Sequence, residues 1–467
     1  MEVTRSSEPN GDKIMTDENM KNTASGSKGT LNQAIKDAGP AVTESPTAIP
    51  KLRYFVFIML FAMTAINYVD RVNLSVAGRL ISHEFGLSPA QLGWLLSAHL
   101  WPYIILLAPA GLFVDRVGYR LAGWLAVGFW SLCTTAIGAI KGPSAFYAMR
   151  AGLGGAEAAN FSIGTQAIRA WAPRREYGFA IAWMSLGQWF GTAFGAMFVG
   201  WVVRDFGWRA AFVTTGALGF VWILFWLVFI RDPQRAGWLR PEERDYILQV
   251  REAKKAQSGG ADMGSLLRSR SLWAVALAQG GFVYENYMLL SWLPNFLQTQ
   301  HHISIFGSGL YTAIIYGTAV VASILLAWLS DRIFSAKALR GGARKWAVAF
   351  SYLPAMLVAV VPLLDSIWLI VAVLTVSVTF LANGISLNTA LCNDLVRRPQ
   401  DAGTAVALFT LGANLIGVVS PIVTGYVVSA TGNFNAAFVL AGFALLGGVT
   451  VLLAMIKGGI GAEQPSA

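Results

Sequence analysis

Apolar residues fill the chain in runs of about twenty or more, and short polar breaks separate one run from the next. A helix rises about 1.5 Å per residue, so about twenty apolar residues cross the roughly 30 Å of hydrocarbon in a bilayer. Twelve such spans are readable, at about 54–80, 90–113, 121–140, 144–171, 178–202, 210–230, 272–299, 303–330, 345–363, 366–392, 402–428 and 434–457. The pattern predicts an all-α integral membrane protein of twelve transmembrane helices. Six spans precede and six follow a polar interval from Arg231 to Ser271.

The polar segments give the rest of the organisation. Residues 1–50 are rich in Ser, Thr, Asn, Lys and acidic residues and lack an apolar core, so they read as a disordered cytoplasmic tail and not as a signal peptide. Met15 and Met20 leave open a later translation start. Residues 51–230 and 272–457 form two six-helix bundles, 231–271 a cytoplasmic linker, and 458–467 a C-terminal tail. Within the linker, "RPEERDYILQVREAKKAQ" opens with Pro241, Glu242 and Glu243 and ends with Lys254 and Lys255, the pattern of a short charged helix. It is expected to tether the halves and not to form a domain.

Composition agrees with the pattern and narrows the partners. Of 467 residues 55% are hydrophobic and only 13% charged, with mean hydropathy +0.54, too few charges to cover a soluble globule. The net charge of +10 would suit a nucleic-acid binder, but its placement argues for topology. Arg116, Arg120, Arg169, Arg174, Arg175, Arg332, Lys337, Arg340, Arg344, Lys345, Arg397 and Arg398 fall in loops on one side, against Arg79, Lys141, Arg204 and Arg209 on the other. The positive-inside rule then puts both termini in the cytoplasm. No nucleic-acid partner is expected, and the lipid bilayer is the surrounding medium. Cys133 and Cys392 both fall inside spans, which rules out a disulfide framework, and His83, His99, His301 and His302 show no metal-ligand spacing. No metal or organic cofactor is expected.

The halves echo each other at an offset of 216. "FVDRVGYR" after span two meets "LSDRI" after span eight, and "NYVDR" on span one meets "VYENY" on span seven, so that Arg71 falls on Tyr287 and Asp70 on Asn286. Two pseudo-symmetric six-helix halves place a binding site at midplane between them.

Four charges stand inside spans: Asp70 and Arg71 on span one, Arg150 and Glu157 on span four. Each costs about 2.5 to 3.5 kcal/mol at the middle of a bilayer, so together they cost on the order of 10 kcal/mol if isolated. Such residues face a bundle interior or an aqueous cavity. Arg150 and Glu157 are seven residues apart, two turns, so they share a helix face about 10 Å apart. Gly152, Gly154 and Gly155 between them permit close approach of a neighbouring helix. Asn67, Asp70, Arg71 and Leu74 form a stripe on span one, so spans one and four are predicted to face each other across the cavity. A structural ion-pair network fits the same residues. Glu285 also falls inside a span, where Tyr284 and Asn286 offer it hydrogen bonds.

"GLFVDRVGYR" has the form G-x-x-x-D-R-x-G-x-R and resembles the loop motif of the major facilitator superfamily. That resemblance implies a gating role for Gly111, Asp115, Arg116, Gly118 and Arg120, and for Asp331 and Arg332 in the second half. "NYVDR", "WPYIILLAPAG", the R-x6-E of span four, "SLGQWFG" and "GANLIGVVSPIVTG" together resemble a narrower group, the anion:cation symporters. The likeness spans about 54–457 and implies a bacterial inner-membrane carrier, monomeric, that imports a small organic anion by alternating access. It implies that Arg71 and Arg150 supply positive field for a carboxylate, with Tyr103, Gln188, Tyr287, Asn388 and Asn414 completing the substrate site and Asp70 and Glu157 carrying protons. One departure is visible: Ala390 stands four residues before Asp394, where sugar-acid carriers place a hydroxyl, and Asn388 and Thr389 are the nearby substitutes.

The charge logic follows. Two arginines attract an anion, and protonating a carboxylate frees a positive charge for it, so proton and anion favour each other's binding. Two candidate carboxylates suggest two protons per monoanion and electrogenic transport. A sugar acid of the aldonate or aldarate type is the leading substrate; aromatic, tartrate-like and hexuronate carboxylates, sodium coupling and facilitated diffusion are the alternatives. A membrane enzyme would need a nucleophile or metal cluster that the sequence lacks, and a non-transporting anion sensor would need to be separated by counterflow.

Overall fold

A computed structural model describes residues 51–250, 262–333, 344–456 and 458–461, apart from the side chains of 250, 327 and 330–333. The expected N-terminal tail and the latter part of the linker lie outside the described residues. Helices account for all twelve spans. The first half holds α1 (Tyr54–Phe85), α2 (Pro89–Ser97), α3 (Leu100–Val117), α4 (Tyr119–Ile137), α5 (Pro143–Glu157), α6 (Asn160–Trp171) and α7 (Tyr177–Phe229). In α7 the fifth and sixth spans run on through Gly207, whose φ of 82° and ψ of 167° only glycine adopts freely. Two short helices follow, α8 (Pro241–Val250) and α9 (Met263–Leu267). The second half holds α10 (Arg270–Thr299), α11 (Ile305–Ile333), α12 (Arg344–Ala355, continued as a 3-10 helix over Met356–Leu363), α13 (Ile367–Leu395), α14 (Ala402–Gly417), α15 (Ser420–Thr431) and α16 (Asn435–Met455). Trp346, Leu363, Trp368 and Phe443 are exposed on the outside, as a lipid-facing surface requires.

Spans two, four and eleven are interrupted, at Ala98–His99, Ala158–Ala159 and Val418–Val419. Broken helices are tolerated in a membrane only where protein or water satisfies the freed backbone groups. Here Ser97 Oγ, beside the first break, donates to the carbonyl of Val418 at the third, 2.7 Å away and across the two halves. The glycines expected to admit a close neighbour on span four do so. A Cβ on Gly154 would stand 1.9 Å from the His99 carbonyl oxygen. Gly154→Ala is therefore expected to lower the yield of folded protein sharply, read as loss of the monodisperse peak and of melting temperature in detergent, because backbone on both sides leaves no rotamer to relieve the contact.

The halves meet at the end that carries the C-termini of α1, α10 and α15. Arg79 donates to the Gln298 carbonyl at 2.9 Å and Gln298 donates to the Val76 carbonyl at 3.0 Å. Gly93 packs so closely on α15 that a Cβ would lie 2.6 Å from the Pro421 carbonyl oxygen, and one on Gly309 would lie 2.2 Å from that of Ala196. At the other end, the bonds stay within a half: Gln166 to Asp115, Arg120 to the Leu227 carbonyl, Arg344 to Asp394 and Arg398 to Asp401. Among the described residues these bonds thus join the two halves at the end with the C-termini of α1, α10 and α15, and join elements of one half at the end with the basic loops.

The linker helix is not a free tether. Glu243 of α8 is fully buried and accepts from the amides of Leu52 and Arg53, at 3.1 and 3.0 Å, and from Arg53 Nη1 at 2.9 Å. A carboxylate at the amino end of α1 answers both the unpaired amides and the helix dipole there. Arg53 also reaches Glu176 at 2.5 Å, so α8, α1 and the loop before α7 are tied together.

Candidate functional site

The side chains of residues 70 and 71 point about 100° apart around a helix, and this decides the site. Arg71 faces span four, where its Nε donates to Glu157 Oε2 at 3.0 Å in a buried ion pair. Its guanidinium lies over the rings of Tyr68 and Tyr103, 4.7 and 4.9 Å from their centroids. Two aromatic faces hold the plane by cation–π attraction, and Glu157 holds it edgewise through Nε. The two terminal nitrogens form the fork that suits a carboxylate.

Across the cavity, Tyr287 on α10 donates to Asn414 Oδ1 on α14 at 2.6 Å, and Asn414 Nδ2 donates to the Thr410 carbonyl at 2.8 Å. Tyr103 and Tyr287 pack in one cluster with Leu100, Ile104, Ala413 and Val418, so the arginine of the first half and the phenol and amide of the second converge on the same space. Gln188 on α7 is half-buried. The site has one cation fork, one buried carboxylate, the three phenols of Tyr68, Tyr103 and Tyr287, and the Asn414 amide.

Asp70 and Arg150 lie behind this layer. The Asp70 carboxylate is fully buried beside Thr134 on α4 and Thr215 on α7; among the described residues neither of its oxygens makes a hydrogen bond and no arginine comes within ion-pair distance of it. Arg150 is 1% exposed, with Nη2 2.8 Å from His99 Nδ1 and Nη1 3.5 Å from the Asp70 carbonyl oxygen. The same Nδ1 also lies 3.1 Å from the Leu96 carbonyl oxygen, so this one nitrogen faces both a donor and an acceptor. The four charges expected as one cluster lie near enough to act on one another, but in this conformation the direct ion pair among them is Arg71–Glu157, with Asp70 and Arg150 buried in the first half beside it.

Asn388 is a second difference. It is fully buried and its amide donates to the Val275 carbonyl at 2.9 Å and to Gln279 Oε1 at 3.0 Å, so it ties α13 to α10 and does not reach the cavity. Asp394, at the end of α13, pairs with Arg344. Of the loop motif, Gly118 has a φ of 81° and ends α3 with a backbone turn that disfavours a side chain. Gly111 has only Ser162 Oγ near its missing Cβ, at 3.5 Å, an ordinary contact. Asp115 accepts from Gln166 and Arg120 donates to the Leu227 carbonyl, while Arg116 is exposed. Asp331 and Arg332 fall in the last turn of α11, their side chains outside the described residues. His99 was passed over as a residue without metal spacing; its signal was a lone histidine inside an apolar span.

The family model described as Major Facilitator Superfamily matches residues 60–343. A probable galactarate/D-glucarate transporter of Bacillus subtilis is 30% identical over 84% of this chain and 89% of its own length. A D-galactonate transporter of Escherichia coli is 28% identical over 86% and 95%, and a probable sulfoacetate transporter of Cupriavidus necator 30% over 85% and 92%. Among solved structures, a bacterial homolog of the human lysosomal transporter Spinster, inward-facing and occupied, superposes with a TM-score of 0.69 at 18% identity, covering 87% of this chain and 97% of the other.

Proposed function

The chain belongs to the major facilitator superfamily of membrane transporters, and from that premise we propose that it imports a small hydroxylated carboxylate, an aldonate or aldarate, by proton symport. The observation that carries the reading is the geometry of Arg71: Glu157 takes Nε, two tyrosine rings hold the plane, and the terminal fork is left for an anion. Tyr103, Tyr287 and Asn414 supply hydroxyl and amide groups around it, the complement of a polyhydroxylated acid. Names of the relatives point to the same class, galactarate, D-glucarate and D-galactonate. By the positive-inside rule the end with the basic loops is the cytoplasmic one, and a bacterial inner membrane is the proposed location.

Coupling is argued from the ion pair. With Glu157 ionised, Arg71 is neutralised and an anion gains little. A proton on Glu157 restores one positive charge, and the anion then replaces the carboxylate as its partner, so each ligand strengthens the other. Among the described residues one carboxylate, Glu157, touches Arg71, which supports one proton at this pair; Asp70 is the candidate for a second proton.

The test is uptake in proteoliposomes with a trapped pH dye, across galactonate, gluconate, glucarate, glucuronate, tartrate, sulfoacetate and 4-hydroxybenzoate. Internal acidification with the aldonates or aldarates, and none with 4-hydroxybenzoate, is the expected result. A response to sulfoacetate alone would overturn the sugar-acid assignment, and counterflow without any pH change would overturn proton coupling.

A further inference from the structure

Glu285 lies near the middle of α10 and is fully buried. Its Oε1 is 2.5 Å from Ser377 Oγ on α13, and the same Ser377 Oγ is 2.7 Å from the carbonyl oxygen of Ala355, the last residue of α12 before the 3-10 turn. A serine hydroxyl carries a single proton, a carbonyl carries none, and an ionised carboxylate carries none. Two acceptors on one hydroxyl balance only when a second proton is present: Glu285, as the neutral acid, donates to Ser377, and Ser377 donates to Ala355.

The surroundings agree. The groups that face Glu285 are Ser377 on α13, the Ala355 carbonyl on α12 and, further off, the phenol of Tyr316 on α11, with Tyr284 and Tyr287 beside it on α10. None of these is cationic. An ionised carboxylate here would stand without a counter-charge among the described residues, against a carbonyl dipole turned the wrong way.

We propose that Glu285 is a proton-binding site of the second half, a resident neutral acid separate from the cavity pair, whose proton joins α10, α13 and α12 in one hydrogen-bonded chain. Its function is positioning. Tyr287, which meets Asn414 in the cavity, lies two residues further along α10, so loss of the Glu285 proton would part α10 from α13 and displace that phenol. The transport arm of the test rests on the proposed function; the spectroscopic arm does not.

Infrared spectra of the full chain in lipid nanodiscs at neutral pH are expected to show a protonated-carboxyl carbonyl band that disappears in Glu285→Gln, with Glu157→Gln recorded alongside to assign the cavity carboxyl. A Glu285→Gln difference in the carboxylate bands instead would mean the group is ionised and would overturn the proposal. In counterflow, Glu285→Leu is expected to lose on the order of tenfold in rate, the scale of one buried hydrogen bond, while Glu285→Gln, whose amide N–H donates to Ser377 as the acid does, restores the rate and leaves the pH profile unmoved. Glu285→Gln as impaired as Glu285→Leu, shifted in its pH profile, or unable to fold where the wild type folds, would each overturn it.

Discussion

Arg71→Gln is expected to abolish substrate binding, and Arg71→Lys is expected not to restore it. Each hydrogen bond to a charged group is worth about 1.5 to 3 kcal/mol, so loss of both terminal contacts predicts an affinity at least about a hundredfold weaker. Lysine keeps the charge but loses three things the structure uses. Its ammonium has no second nitrogen for a carboxylate, no separate Nε for Glu157, and no flat face to lie between Tyr68 and Tyr103. Isothermal titration with the transported sugar acid measures the affinity, and counterflow measures whether the loaded carrier still turns over. An Arg71→Lys variant with affinity within a few-fold of wild type would mean that the charge alone matters and that the fork does not meet the substrate.

The twelve spans could be read from the sequence because each is a local property: a run of apolar residues long enough for a bilayer needs no partner to declare itself. Charges inside those runs were equally visible. What they touch was not, because the direction of a side chain around a helix counts only against neighbours distant in sequence. Asp70 and Arg71 are adjacent, yet one is buried beside Thr134 and Thr215 without a hydrogen bond among the described residues and the other meets Glu157. The stripe drawn through Asn67, Asp70, Arg71 and Leu74 was wide enough to hold both directions. Asn388 was drawn into the site by its closeness in sequence to the expected hydroxyl position, and packing turned it toward Gln279. Glu243 looked like one of many surface charges on a linker; only the folded chain brings it to the amides of Leu52 and Arg53. The glycines of span four fared better, since the small-residue pattern carries its own steric meaning, and Gly154 lies against the His99 backbone.

Glu157→Gln is expected to separate exchange from accumulation. The amide keeps an oxygen for Arg71 Nε but carries no charge, so the site is held as if permanently protonated, with one positive charge free for an anion. A loaded carrier is then neutral at this pair in every orientation, and exchange of labelled for unlabelled substrate should continue at all pH values tested. An empty carrier is different, because Arg71 must cross the closed state without a counter-charge. Breaking a buried ion pair by removing one partner costs about 3 to 5 kcal/mol, which would slow the return of the empty protein by a factor on the order of a hundred or more. Uptake driven by a pH gradient should therefore fail while counterflow survives, and the acidification that accompanies wild-type uptake should vanish. Persistence of pH-driven accumulation in Glu157→Gln would remove the proton from this carboxylate and leave Asp70, buried beside Thr134 and Thr215, as the group that couples.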